Sequence, residues 1–157
     1  MVGASAWRPH VTVSAVVERE GRFLVVEELV DGREVINNPA GHLEESETLL
    51  DAVVREVLEE TGFEFLPDYV TGLYLWTSIS GRTFLRINFV GRCGAHDQYR
   101  PLDDGILRVR WMSREDLAAS SPRLRSPMVL RCIDDALAGR RYPLEVLNHL
   151  EGDDPLG

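Results

Sequence analysis

The chain has 157 residues, a formal charge of −9, and 44% hydrophobic and 27% charged side chains, a balance that suits one globular domain with a substantial core. Such an acidic chain has no basic face with which to grip long nucleic acid, although a dication can supply the positive charge needed for small phosphorylated ligands. No apolar run approaches the roughly 20 residues that span a bilayer, and MVGASAWRPH has no basic segment leading into an apolar one, so neither a membrane span nor a signal peptide is expected.

HVTVSAVVE alternates His10, Thr12 and Ser14 against Val11, Val13 and Ala15, the period of a strand. RFLVVEE follows Glu20-Gly21, which reads as a hairpin turn. Residues 47–61 read as a helix, with Ser46 as N-cap and Gly62 as its stop. VTGLYLWTS and RTFLRINFV are two more strands joined near Ser80-Gly81. ILRVRWM is another strand, and SREDLAAS opens with the Ser-x-x-Asp form of a capping box. Residues 127–139 read as a C-terminal helix, and the tail EGDDPLG, residues 151–157, as a frayed end. Strands and helices mix without regular alternation, which predicts an α/β sandwich around a mixed sheet. Cys93 and Cys132 lack metal-ligand spacing and read as reduced thiols of a cytoplasmic protein. The four histidines, His10, His42, His96 and His149, show no ligand spacing either.

The chemistry concentrates in REVLEETG, residues 55–62. At 100° per residue, Glu56, Glu59 and Glu60 share one arc of the helix, where like charges repel. Leu50, Val54, Val57 and Leu58 occupy the opposite side, so one face would pack on a sheet while the other presents oxygen ligands. One reading is a solvated acidic face. The other is a site for Mg²⁺ or Mn²⁺, whose hard oxygen ligands these are and whose charge removes the repulsion. Arg55 sits on the flank, within reach of a carboxylate. The Pro-Ala-Gly turn at residues 39–41 can aim backbone carbonyls at the same place.

Residues 41–63, GHLEESETLLDAVVREVLEETGF, resemble the Nudix box. Gly41, Glu47, Arg55, Glu56, Val57, Glu59, Glu60, Gly62 and Phe63 meet every fixed position. At about 6–7% usage per residue type, the seven invariant positions match by chance on the order of once in 10⁸ starts. The resemblance implies an α/β Nudix fold, an α/β/α sandwich around a mixed β-sheet, spanning one domain with a core near residues 8–147. It also implies hydrolysis of a phosphoanhydride. By position, Glu56, Glu59 and Glu60 are the implied metal-binding carboxylates, and the Gly41 carbonyl a further ligand. Arg55 would orient the cluster, and Glu56 would activate water. Glu47 and Gly62 are implied to be structural. Ala40 departs from the pattern, since many relatives carry a second glycine there.

Further segments, including RPHVTVSAVVEREGRFLVVEE and LRSPMVLRCIDDALAGRRYPLEVL, resemble the bacterial phosphatase NudJ subgroup. That likeness implies conversion of nucleoside tri- and diphosphates to monophosphates with release of orthophosphate. It also implies action on the pyrimidine diphosphate of thiamine synthesis. The alternatives are a pyrophosphohydrolase of ADP-ribose or dinucleoside polyphosphates, and a Nudix-fold regulator that binds nucleotide without cleaving it. Against the first stands WTSIS at residues 76–80, where those subfamilies often carry Pro or Tyr; against the second, the intact box. Asp103 and Asp104 are the candidates for a base outside the box, with a solvated turn as the alternative. Phe84, Arg86 and Asn88 alternate onto one strand face, and Tyr74 and Trp76 share a face of the strand before it. Arg86, Asn88, Tyr74 and Trp76 are therefore candidates to bind phosphate and stack on a base. The alternative has the aromatics in the core and Arg86 on the surface.

Overall fold

The structure, a computed structural model, describes residues 5–152. Residues 153–157 of the tail expected to fray lie outside the described residues. In chain order the elements are β1 (His10–Arg19), β2 (Arg22–Val30), β3 (Arg33–Asn37), β4 (Ala40–His42), α1 (Leu49–Thr61), β5 (Phe63–Thr77), β6 (Thr83–His96), β7 (Ile106–Ser113), α2 (Arg114–Ala119) and α3 (Met128–Leu137). The strands run in the order β3-β2-β1-β6-β5, with β7 on β2 and β4 on β1. β1 and β6 are parallel and the other pairs antiparallel, so the sheet is mixed, as the irregular succession of elements predicts.

Glu20 and Gly21 take φ of 52° and 73°, both left-handed, as a two-residue hairpin between right-twisted strands requires. Helix α1 begins two residues later than expected. Ser46 is not its cap but sits in the turn before it at φ 66°. Thr48 caps instead: its hydroxyl accepts from Asp51 N while the Asp51 carboxylate accepts from Thr48 N, a reciprocal pair that satisfies two backbone donors. Gly62, at φ 75°, ends the helix and donates its N–H to Leu58 O, the left-handed stop that glycine adopts without steric cost.

Two apolar layers sandwich the sheet. Val13, Ala15 and Val17 of β1, with Ile87 and Phe89 of β6, meet Ala52, Val53 and Val57 of α1. On the other face Val16, Val25 and Ile36 meet Leu117 of α2 and Cys132 and Ile133 of α3. At about 1.5–3 kcal/mol for each large side chain removed from water, these layers supply the main force holding both helical sides to the sheet. The polar face of β1 is not solvated. Thr12 and Ser14 are buried beneath the α3 side and lie level with Arg86 and Asn88 of β6 in the parallel register.

Candidate active site

Two of the acidic residues of α1, Glu56 and Glu60, are turned into the protein. Val53, Glu56, Val57 and Glu60 are all buried and form an i, i+3, i+4, i+7 stripe, so two carboxylates share the arc that packs on the sheet. Leu50, Val54 and Leu58 are only half-buried. The apolar and acidic arcs expected on opposite sides therefore overlap, with Glu56 and Glu60 on the packed arc beside Val53 and Val57. Burying ionised groups is costly unless each finds a partner.

Arg55 is the chief partner. Its Nη1 donates to Glu56 Oε1 at 2.8 Å and to Glu59 Oε2 at 3.1 Å. Nε and Nη2 donate to Glu47 Oε1 at 3.0 and 2.8 Å, and Nη2 also reaches the His42 carbonyl at 3.0 Å. Burial opposes its charge, but the bonds from Glu47 and Glu56 outweigh that and hold the guanidinium pKa above its usual value. One side chain thus ties the loop before α1, the end of β4 and two carboxylates into a fixed arrangement.

Gly41 packs directly against Glu56, and a methyl group on it would overlap the Glu56 carboxylate. Ala40 contributes through its backbone: its N–H donates to Glu60 Oε1 at 2.9 Å. The residue that replaces the more usual glycine therefore keeps the one group used here. Glu60 Oε2 is buried with no hydrogen-bond partner among the described residues. Burial raises Glu60 well above the usual carboxylate value, with Glu28, Glu56 and Asp103 adding to the rise. Burial also raises Glu56, as do Glu59 and Asp103, against the pull of Arg55.

Asp103 joins this group from a distant segment. One oxygen each from Glu56, Glu59 and Asp103 lie within 4.8 Å of one another. The Asp103 N–H donates to Glu59 O at 3.0 Å, and its carbonyl accepts from Ile106 N at 3.1 Å, so the backbone fixes it beside the helix. Burial raises its carboxyl too, followed by repulsion from Glu59. Neither Asp104 nor Glu60 belongs to this three-oxygen group.

On the far side of β4 lies a cavity of about 210 Å³ lined by Thr12, Glu28, Asn37, Arg86, Trp76 and Phe84, among others, with Ala40, Gly41 and His42 as the wall it shares with the acidic group. Arg86 is only 4% exposed, so it is neither a surface residue nor a plain core residue. Trp76 and Phe84 stack with centroids 5.7 Å apart. The other two residues expected in the pocket stand elsewhere. Asn88 is fully buried, accepting from Ser14 Oγ at 2.7 Å and donating to Thr71 Oγ1 at 2.8 Å. Tyr74 bonds Thr71 Oγ1 at 2.9 Å and donates to Asp135 Oδ2 at 2.8 Å. Tyr74 thereby ties α3 to the sheet, while Asn88 links β6 to β1 and β5. Thr12, Glu28 and Asn37 were not singled out in the sequence. Thr12 carries a signal there, since it shares the polar phase of β1, whereas Asn37 comes in only through the pairing of β3 with β2.

The profile of the NUDIX domain matches residues 8–131. The chain belongs to the Nudix hydrolase family. It is 42% identical over 141 residues to the phosphatase NudJ of Escherichia coli strain K12, covering 90% of this chain and 92% of that one. Phosphatase NudJ of Shigella flexneri matches equally, over the same shares. Among solved structures, a NUDIX hydrolase from Nitrosomonas europaea superposes with a TM-score of 0.90 at 46% identity, over 93% of this chain and 100% of that one. The Nudix fold expected from the box is thus borne out along nearly the whole length, and the protein is a NudJ-like member of a hydrolase family. No helix among the described residues is long and apolar enough to cross a membrane.

Proposed function

We propose that this Nudix hydrolase uses a divalent cation, Mg²⁺ or Mn²⁺, to hydrolyse phosphoanhydride bonds. Its substrates would be nucleoside tri- and diphosphates, cleaved toward the monophosphate with release of orthophosphate, and a pyrimidine diphosphate. The observation that carries the reading is the convergence of Glu56, Glu59 and Asp103 oxygens beside the unpartnered buried Glu60 Oε2. Three acidic oxygens in one small volume repel unless a cation intervenes, and an all-oxygen donor set suits a hard dication. Glu56, Glu59 and Asp103 would hold it, with Glu60 and the Gly41 carbonyl proposed as further ligands. When bound, the cation neutralises charge on the substrate phosphates.

The chain's own residues do the rest. Arg55 occupies Glu56 Oε1 and so orients the carboxylate with Oε2 turned to its other side. Burial raises the Glu56 carboxyl above its ordinary value in the metal-free protein, against the pull of Arg55. We assign Glu56 as the base that takes the proton of the attacking water, and Asp103 as a ligand rather than the alternative base. Arg86 and Trp76 line the cavity next to this cluster and would bind the rest of the substrate. The 42% identity to phosphatase NudJ supports orthophosphate as the product.

The test is a panel of UTP, CTP, GDP, ADP-ribose, diadenosine polyphosphates and the thiamine pyrimidine diphosphate with Mg²⁺, with products resolved as orthophosphate or pyrophosphate. Orthophosphate from tri- and diphosphates is expected. Pyrophosphate from the triphosphates, or cleavage of ADP-ribose alone, would overturn the assignment.

A further inference from the structure

Trp76 and Phe84 also line a second cavity, of about 320 Å³, walled by the hairpin between β2 and β3, the turn between β5 and β6, and the segment ahead of α3. Three arginines, Arg33, Arg82 and Arg125, reach it from those three places, against a single acidic residue, Asp31. In a chain of net charge −9, such a gathering of positive charge runs against the background. We propose that this cavity binds a phosphoryl group away from the scissile bond, as free orthophosphate or as a second phosphate carried by the nucleotide. The inference rests on the phosphohydrolase reading, in which the cleaved phosphates lie at Glu56.

The backbone sets each arginine in place. Asp31 and Gly32 take φ of 49° and 76°, the left-handed pair of a two-residue hairpin, and Arg33 is the first residue of β3 after it. Successive side chains of a strand point to opposite faces, so Arg33 and Val35 line the cavity while Glu34 turns away. Glu34 Oε2 lies 4.0 Å from Arg108 Nη2 and 3.9 Å from Arg123 Nη2, so the adjoining carboxylate is committed elsewhere. Arg82 is held at its turn: its carbonyl accepts from Ser78 N at 2.8 Å, and its N–H donates to Ser78 Oγ at 3.2 Å. Arg125 donates its N–H to Ile36 O at 2.8 Å.

Arg125 Nη1 lies 3.8 Å from Glu28 Oε1, whereas Arg33 and Arg82 form no ion pair among the described residues. Cations that face one cavity without partners repel, and a shared anion turns that repulsion into charge-assisted hydrogen bonds. Guanidinium groups only donate. Three of them on separate elements approach from different directions, which matches the tetrahedral oxygens of a phosphate better than the two coplanar oxygens of a carboxylate. Trp76, Phe84 and Arg125 belong to both cavities, so a substrate seated in the first can extend a further phosphate into the second.

Orthophosphate is titrated in EDTA at constant ionic strength and followed by phosphorus NMR. The samples are wild type, the double variant Arg33→Gln/Arg82→Gln, and Arg22→Gln/Arg92→Gln, which loses the same charge outside the cavity. In parallel, kcat and KM are measured with Mg²⁺ for GDP and for the same nucleotide carrying a 3′-phosphate. The cavity variant should bind orthophosphate about ten-fold more weakly than wild type, for the loss of its charge-assisted bonds, and the control pair within two-fold of it. If the phosphate is substrate-borne, the cavity variant raises KM for the 3′-phosphorylated nucleotide by a similar factor and leaves its kcat, and both constants for GDP, unchanged. If it is free orthophosphate, the two nucleotides respond alike while orthophosphate binding is still lost. The inference fails if the cavity variant binds orthophosphate as wild type does and treats both nucleotides alike, or if the control pair shows the same losses. Absent turnover of both nucleotides beside intact orthophosphate binding would instead overturn the phosphohydrolase reading and leave this site standing.

Discussion

Replacing Gly41 by Ala adds one methyl group against the Glu56 carboxylate, the proposed base, and changes little else. Gly41 is not among the residues with positive φ, so alanine fits the backbone there. Its side chain does not fit the space, since an added Cβ would overlap the Glu56 carboxyl carbon and both oxygens. Restoring ordinary contact requires Glu56 to retreat by about 1 Å, because the repulsive wall between non-bonded atoms is steep. A displacement of that size at a reacting group costs about 10²-fold in rate, so kcat should fall by about that factor. The overpacking itself costs about 1–3 kcal/mol. At ~2–4 °C per kcal/mol for a chain of this size, the melting temperature should drop by several degrees and folding should survive. Initial rates at saturating Mg²⁺ and a thermal melt of the same sample check both figures. Wild-type kcat with an unchanged Mg²⁺ dependence would refute the placement of Glu56 in the chemistry.

Other perturbations probe other parts of the account. Glu56, Glu60 and Asp103 all have carboxyl pKa values raised by burial. Their protonated forms therefore stabilise the metal-free fold below the ordinary values of 4.5 and 3.8, and that contribution is lost as pH rises through the raised values. In EDTA the Glu60→Gln protein should gain in melting temperature over wild type as pH increases across this window; a difference independent of pH would contradict the burial account. Glu27 is 1% exposed and meets Arg108, Arg110 and Arg123, all partly solvated. Glu27→Gln should cost about 1–2 kcal/mol by denaturant titration, below the fully buried case, and leave turnover unaltered. Asn88→Ala removes the acceptor of the buried Ser14 hydroxyl and one of the two partners of Thr71 Oγ1 and opens a small void, so it should cost about 2–4 kcal/mol in the same assay.

The helix that carries the Nudix box was legible because its spacing is local. Arg55, Glu56, Glu59, Glu60 and Gly62 are set by a 3.6-residue repeat and a left-handed stop, and both lie within one stretch of chain. The start of α1 was legible too, in Thr48-x-x-Asp51, but Ser46 competes with it in the same run of polar residues. The orientation of the carboxylates was not legible. A helical wheel places charges on one side and leaves open whether solvent or protein covers that side. Here Glu56 and Glu60 are covered because Arg55 and the Ala40 N–H satisfy them, and both partners depend on how β4 docks. Strands β3 and β4 escaped notice because one is short and half polar and the other has three residues, too few to show a period. Asp103 enters the cluster through a backbone bond to Glu59 across 43 intervening residues, for which no local pattern exists. The alternation that places Arg86 and Asn88 on one face of β6 is real. Their separation into a cavity residue and a network residue follows from where α3 crosses that face.

The central claim is that the Glu56, Glu59 and Asp103 oxygens hold the cation on which hydrolysis depends. Orthophosphate release from a nucleoside triphosphate, measured against Mg²⁺ concentration for wild type and Glu59→Gln, tests it most directly. The account predicts no release in EDTA, restoration by Mg²⁺ in wild type, and a Glu59→Gln curve shifted to higher Mg²⁺ with a lower ceiling. Release that persists in EDTA, or a Glu59→Gln curve superimposable on wild type, would contradict it.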